Sequence, residues 1–181
     1  MVRCGGWGDV FGDEGSAWWI GREALTRVSR HLDGRQPAPG FAAGMLTALG
    51  IQGSALIAWT YGQAQPRAAV AALARQVDAL AVGNPDAAEI MERAAGQLVD
   101  LARAAARASG VGPEPAWSFA GGVFRSAIMR DVVTAAMGRP PLPPRLPPVG
   151  GALLVAARRA GWRVDDRFIA TLAGSLAGTL T

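Results

Sequence analysis

The sequence predicts a mainly helical α/β protein with few strands. Half of the 181 residues are hydrophobic and 18% are charged, so the chain is long and apolar enough to bury the core of one globular domain. Apolar residues recur at helical spacing over most of the chain, and strands are expected only at 2–7, 116–120 and 142–148. The predicted strand at 116–120 is followed by a glycine turn and a helix, which is half of a βαβ unit.

Helices account for most of the remaining sequence. Residues 17–32 place apolar side chains on one face, and Asp33-Gly34 ends that helix. Asn84 and Pro85 are a good N-cap and first-turn pair for the longest helix, over 86–108. The other predicted helices span 41–49, 54–61, 66–82, 124–137, 150–160 and 168–180.

The charged residues and the single cysteine exclude several functions. All eighteen basic residues are arginine, so the chain has no Walker-type phosphate lysine, no Schiff-base lysine and no lysine general base. The net charge is only +4 and the arginines are scattered, which argues against nucleic acid as a partner. Cys4 cannot form an intramolecular disulfide, and Cys4 with His31 cannot complete a four-ligand zinc site, so we expect no structural metal.

The uncharged stretch 36–66 raises the question of a membrane span. Prolines and glycines divide it into two pieces of about ten apolar residues each, short of the roughly twenty that a span needs. The N-terminus has no hydrophobic signal region. We therefore expect a soluble protein without a membrane partner, located in the reducing cytoplasm that a lone cysteine fits.

Residues 5–20 are the most informative segment, with five glycines, three acids and three tryptophans. Such a glycine cluster indicates a backbone that bends close to a ligand, and carboxylates beside an indole favour a polar, ring-shaped one. Taken alone, Asp13 and Glu14 are better interpreted as charges at the N-terminus of the following helix. The alternative is that one carboxylate accepts hydrogen bonds from vicinal sugar hydroxyls. For Trp18 and Trp19 we expect core packing and no ligand.

The letters GGWG at 5–8 and GDEGS at 12–16 resemble the sugar-site signature of the N-acetylglucosamine kinase branch of the BadF/BadG/BcrA/BcrD-type ATPase family. The resemblance implies an actin-like or hexokinase-like (ribonuclease H-like) ATPase fold. Because the signature lies near the middle of family members, we expect the C-terminal lobe of that fold with part of its sheet missing. Because the resemblance covers the whole motif, we prefer the interpretation in which Asp13 recognises sugar hydroxyls. The substrate-binding residues that it implies are Gly6, Trp7, Asp13 and Ala17.

A second glycine pair follows the predicted strand at 116–120. A bare Gly-Gly after a strand is a weak signal, but residues 120–126 resemble the adenosine motif of actin-like and hexokinase-like ATPases. Gly121 and Gly122 are the implied nucleotide-binding residues, with Arg125 as a neighbouring candidate. The implied organisation is one lobe over 1–181, with a sugar-site loop at 1–16, a helical insert at 17–109, and the adenosine strand and closing helix at 116–160.

The implied activity is ATP-dependent phosphorylation of N-acetylglucosamine or glucosamine to the 6-phosphate, with Mg²⁺ accompanying ATP. The family's two phosphate loops, its catalytic base and its magnesium-handling acid have no match in this sequence. We therefore expect no catalytic or metal-binding residue in this chain, no turnover by it alone, and an open sheet edge. The expected partner is an N-terminal lobe chain or a second copy.

Two alternatives stay open. The first is a non-catalytic helical interaction module, or the partner lobe of a split kinase. The second is an ATPase that activates 2-hydroxyacyl-CoA dehydratases through an iron–sulfur cluster, and Cys4 argues against it because such a cluster needs several cysteines.

Overall fold

The structure, a computed structural model, describes residues 2–112 and 114–177. The helices in these ranges are α1 (Ala17–Leu32), α2 (Pro39–Leu49), α3 (Leu56–Tyr61), α4 (Pro66–Ala72), α5 (Ala74–Ala81), α6 (Pro85–Ala108), α7 (Ala127–Met137), α8 (Pro148–Arg159) and α9 (Asp166–Ala177). Short 3-10 helices at Gly53–Ala55 and Gly122–Arg125 precede α3 and α7. No single helix in the described ranges is long and apolar enough to cross a membrane, and Pro39–Leu49 with Gly53–Tyr61 passes that test only as a pair bent by 63°.

The predicted helices with clear end signals are confirmed. α1 spans the predicted residues, and the Asn84 side chain caps α6 by accepting from the Ala87 amide at 3.1 Å. The single helix predicted over 66–82 is in fact two helices, α4 and α5, which meet at Leu73. Of the helix predicted over 168–180, the part up to Ala177 is helical and 178–180 lie outside the described residues.

The three predicted strands are wrong, since the described residues of 2–7, 116–120 and 142–148 contain no strand. The later two segments share one main-chain hydrogen bond, from the Leu142 amide to the Trp117 carbonyl at 2.8 Å. A strand pair needs repeated bonds of this kind, and the prolines that crowd 140–148 have no amide hydrogen to donate. The described fold is therefore helical rather than α/β.

The chain separates into two compact units. The first comprises Met1–Pro115 and Gly122–Arg139, and the second comprises Ala116–Gly121 and Pro140–Thr181. In the second unit α8 packs against α9, and the buried residues of α8 are Gly150 and Ala157. In the first unit α1, α2, α5, α6 and α7 surround a core of large buried side chains. These include Ile20, Phe41, Met45, Val77, Ile90, Met91 and Met129.

Helix α1 is held against its neighbours by a close backbone approach and by two ion pairs of the buried Arg27. A Cβ on Gly21 would lie 2.0 Å from the Val70 carbonyl oxygen, so the backbones of α1 and α4 are in contact there. On the side facing α6, the buried Arg27 pairs with Asp86 and with Glu89, whose Oε2 lies 2.8 Å from Nη2. Burial opposes the charge of Arg27, but hydrogen bonds and attraction from the two carboxylates outweigh it and raise the Arg27 pKa.

Candidate functional site

The glycine-rich loop before α1 folds back on itself. The Gly12 amide donates to the Gly8 carbonyl at 2.9 Å. A Cβ on Gly12 would lie 3.1 Å from the Cβ of Trp7, so the two ends of this turn are in contact. The turn thereby brings Trp7 beside the residue that precedes Asp13. Trp7 and Asp13, two residues of the predicted sugar site, therefore lie at neighbouring places in the loop.

The loop is held against the rest of its unit through glycine and arginine contacts. Gly15 has a φ of 73°, and a Cβ there would lie 2.6 Å from the Ala94 carbonyl oxygen of α6. Only glycine fits this position without movement of the helix backbone. At the other end of the loop, the Arg3 guanidinium donates to the carbonyls of Gly5 and Gly6. The Gly6 backbone is therefore fixed by a side chain that sequence analysis did not single out.

The Asp13 carboxylate faces an arginine from a distant helix. Asp13 has a φ of 57°, which is uncommon for a residue other than glycine. Its Oδ2 forms an ion pair with Arg67 Nη2 at the start of α4. Arg67 Nε also lies 3.9 Å from Asp9 Oδ2, which accepts a hydrogen bond from Trp18 Nε1 at 3.2 Å. One guanidinium therefore links two loop carboxylates.

Asp13 and Glu14 do not cap α1 with their side chains, contrary to the helix-capping interpretation. Ser16 is the N-cap of α1, and its Oγ accepts from the Trp19 amide at 3.2 Å. No residue in the first turn of α1 is acidic. Glu14 instead has a buried Oε2 to which no described residue donates a hydrogen bond. Among the described side chains, Glu14 Oε2 is the one buried polar atom that has no hydrogen-bond partner.

The remaining predicted residues of the loop differ in their exposure. Trp7 is 73% exposed, and Gly6 is exposed as well. Ala17 is half-buried as the first residue of α1. Trp19 is buried in the core as expected, whereas Trp18 is only half-buried and bonds to the loop.

The second glycine pair has open space at both residues. Gly122 belongs to the first unit and begins the 3-10 helix Gly122–Arg125, which Arg130 holds by donating to the Phe124 and Arg125 carbonyls at 2.6 and 2.8 Å. A Cβ on Gly122 would meet no atom within 4 Å, and the same is true of Gly121, whose φ is 105°. Gly121 lies in the second unit. Arg125 is exposed, and the nucleotide role of all three residues stays a prediction.

Among the described residues, no three His, Cys, Asp or Glu side chains are grouped so that they could hold a metal ion. A polar cavity of about 150 Å³ lies between α1 and α6, and none of the predicted site residues lines it. The charged side chains at this cavity are Glu23, Arg27, Arg30, Glu89 and Arg93.

Comparisons with known proteins agree with the signature in the first loop. A family model described as the BadF/BadG/BcrA/BcrD ATPase family matches residues 1–156. The chain belongs to this ATPase family. The chain is also similar to a crystal structure from Chromobacterium violaceum that is provisionally named an N-acetylglucosamine kinase, with 32% identity and a TM-score of 0.68. The match covers 83% of this chain and 50% of that one, so this chain spans about half its length.

Proposed function

We propose that this chain is the sugar-binding half of an ATP-dependent amino-sugar kinase that acts on N-acetylglucosamine or glucosamine. The observation that carries the proposal is the arrangement around Asp13. Its Oδ2 is paired with Arg67, and no described residue donates to Oδ1. A carboxylate held in this way accepts hydrogen bonds from neighbouring hydroxyls of a sugar ring.

Two further features of the loop support a sugar ligand. The exposed indole of Trp7 offers a flat apolar surface, and a pyranose ring has an apolar face that can pack on it. The buried Oε2 of Glu14 is a second acceptor without a donor from the described chain. Burying such an oxygen unpaired costs about 1–3 kcal/mol, so a donor from a ligand or partner would stabilise the loop. Gly6 and Ala17 complete the proposed sugar contacts.

Phosphoryl transfer requires more than this half supplies. The reaction depends on holding the phosphates, a metal ion and the acceptor hydroxyl in line, with positive charge at the phosphates. We infer that Gly121, Gly122 and Arg125 contribute to ATP binding, and that a separate N-terminal lobe holds the phosphates and Mg²⁺. When bound, the metal ion would neutralise charge on the phosphates. The chain then acts in the cytoplasm together with that lobe, or as a dimer of two copies.

The exposed apolar side chains of the loop support the need for a partner. Val10 is 85% exposed and Phe11 is 74% exposed, three and four residues after the exposed Trp7. Adjacent exposed apolar residues of this size are typical of surfaces that another polypeptide covers. This is also the observation that favours the alternative function, a non-catalytic module that binds a partner chain.

The first test replaces Asp13 in the chain joined to an N-terminal lobe. Asp13→Asn removes the charge while it keeps one carbonyl oxygen, and we expect the KM for N-acetylglucosamine to rise at least about tenfold, the effect of losing a hydrogen bond to a charged group. The KM for ATP should change less than about twofold, because the role proposed for Asp13 is in binding the sugar and not the nucleotide. Asp78→Asn, at a half-buried position of α5, is the matched control. Equal effects on both substrates, or none, would contradict the sugar-site assignment.

The second test concerns the chain by itself. Without groups that hold the phosphates, most transition-state stabilisation is lost, so we expect no sugar-dependent ADP release from residues 1–181. Activity should appear when an N-terminal lobe is added. A coupled assay that detects ADP release from the purified chain, abolished by Asp13→Ala, would overturn the division of roles.

A further inference from the structure

Arg67 lies in the proposed sugar site although the sugar signature does not contain it. It is the second residue of α4 and is 54 positions away from Asp13 in sequence. Its Nη2 pairs with Asp13 Oδ2, and its Nε lies 3.9 Å from Asp9 Oδ2. Arg67 therefore links Asp9, inside the Gly8–Gly12 turn, and Asp13, directly after it, to a separate helix.

The packing of α4 on α1 brings Arg67 to this place. Val70 lies three residues after Arg67, so the two share a face of α4. The Val70 carbonyl is in backbone contact with α1 at Gly21, where any Cβ would lie 2.0 Å away. Since the loop leads directly into α1, this contact sets the distance between the first turn of α4 and the loop.

The loop also needs a cation at this point. Asp9 and Asp13 are two carboxylates of one short segment, and Asp13 has a backbone conformation, φ 57°, that surrounding contacts must maintain. The Asp13 side chain is only 18% exposed, so its charge is partly removed from water. A guanidinium that binds Oδ2 balances this charge and restricts the carboxylate to one orientation.

We propose that Arg67 is a positioning residue of the amino-sugar site. By holding Oδ2, it keeps Oδ1 directed to the place where the sugar hydroxyls bind, and it orders the turn from Gly8 to Ser16. This inference rests on the proposed function. Because the Arg67 side chain is 61% exposed, the ion pair contributes little to the stability of the whole protein, and its effect is on the loop and on sugar affinity.

The experiment compares three variants of the chain with the unchanged protein. Arg67→Met removes the charge, Arg67→Lys keeps it without the fork of donors, and Arg75→Met is a control that removes one charge from α5. Arg75 is exposed and has no hydrogen bond or ion pair to any described residue. NMR measures amide exchange of Gly12 and Ser16, whose N–H groups bond to Gly8 and Asp13 carbonyls. Titration with N-acetylglucosamine then gives the Kd.

We expect Arg67→Met to speed exchange of the two loop amides and to weaken N-acetylglucosamine binding, each about five- to tenfold, with partial rescue in Arg67→Lys. Arg75→Met should change neither. Unchanged loop exchange in Arg67→Met, or faster exchange with an unchanged Kd, would overturn the positioning role. If the unchanged protein does not respond to the sugar, alone or with an N-terminal lobe, the proposed function itself fails.

Discussion

Two glycine-rich segments of this chain, 5–16 and 120–126, are each followed by a helix with a serine N-cap, yet their glycines have different surroundings. In the first, a Cβ on Gly15 would lie 2.6 Å from a backbone oxygen of α6. In the second, a Cβ on Gly122 would meet nothing within 4 Å. Contacts inside the chain therefore explain why residue 15 is a glycine, but they do not explain why residue 122 is one. Glycine clusters of similar appearance in a sequence can thus have a packing role in one place and adjoin open space in another.

The largest effect that separates the two segments is expected from alanine substitution. Gly15→Ala places a side chain in the left-handed region, at a cost of about 1–2 kcal/mol, and against the α6 backbone, at about 1–3 kcal/mol. We therefore expect the free energy of unfolding to fall by about 2–5 kcal/mol, whereas Gly122→Ala should change it by less than about 0.5 kcal/mol. Urea unfolding followed by circular dichroism measures both. Similar losses in the two variants would remove the distinction.

The open space at Gly122 leads to a second prediction. If a nucleoside occupies this space, Gly122→Leu should weaken binding of a non-hydrolysable ATP analogue about tenfold or more, since the side chain would fill the site. The unfolding free energy should stay nearly unchanged. Calorimetric titration of the chain joined to an N-terminal lobe measures the affinity, with Gly96→Leu, at another open position on α6, as the control. Unchanged ATP affinity in Gly122→Leu would exclude the nucleotide assignment of this glycine.

The parts of the fold that were predicted correctly are those that local sequence determines. Helix α1 and the start of α6 follow from apolar periodicity together with the Asp33-Gly34 stop of the first and the Asn84-Pro85 start of the second. The strand at 116–120 was predicted on the same local basis and is wrong. A strand requires repeated main-chain bonds to a partner elsewhere in the chain, and the bond from the Leu142 amide to the Trp117 carbonyl is not part of a strand pair in the described residues.

The candidate site was predictable in its motif but not in its supporting contacts. The glycines and acids of 5–16 carry a dense local signal. Arg67 carries none, because its role depends on a contact across 54 residues and on the backbone approach at Gly21. The bond from Trp18 to Asp9 was also missed, since core packing was expected for that indole. Long-range pairings of exposed polar groups have no periodicity by which a sequence could indicate them.

The serine caps provide a comparison in which the two segments should behave alike. Ser16 Oγ accepts from the Trp19 amide and Ser126 Oγ accepts from the Met129 amide, both at 3.2 Å. Loss of such a cap costs about 1 kcal/mol, so Ser16→Ala and Ser126→Ala should each lower the unfolding free energy by about that amount. Replacing each serine by aspartate is the control, because aspartate keeps a side-chain acceptor for the capping hydrogen bond and should preserve the stability. A much larger loss at one serine would mean that its hydroxyl stabilises the fold by more than the helix cap.

The smallest effects are expected from the arginines that hold carbonyls in each segment. Arg3 donates to Gly5 and Gly6, and Arg130 donates to Phe124 and Arg125. Arg3 is exposed, so Arg3→Met should lower the unfolding free energy by less than about 0.5 kcal/mol, and Arg130→Met, which is half-buried, by about 0.5–1.5 kcal/mol. Urea unfolding measures both, and amide exchange reports the local order of each segment. Because Gly15 fixes the first loop independently of Arg3, exchange of the Gly12 amide should rise only slightly in Arg3→Met. A loss of stability in Arg3→Met equal to that in Gly15→Ala would show that the arginine, and not the glycine contact with α6, holds the loop.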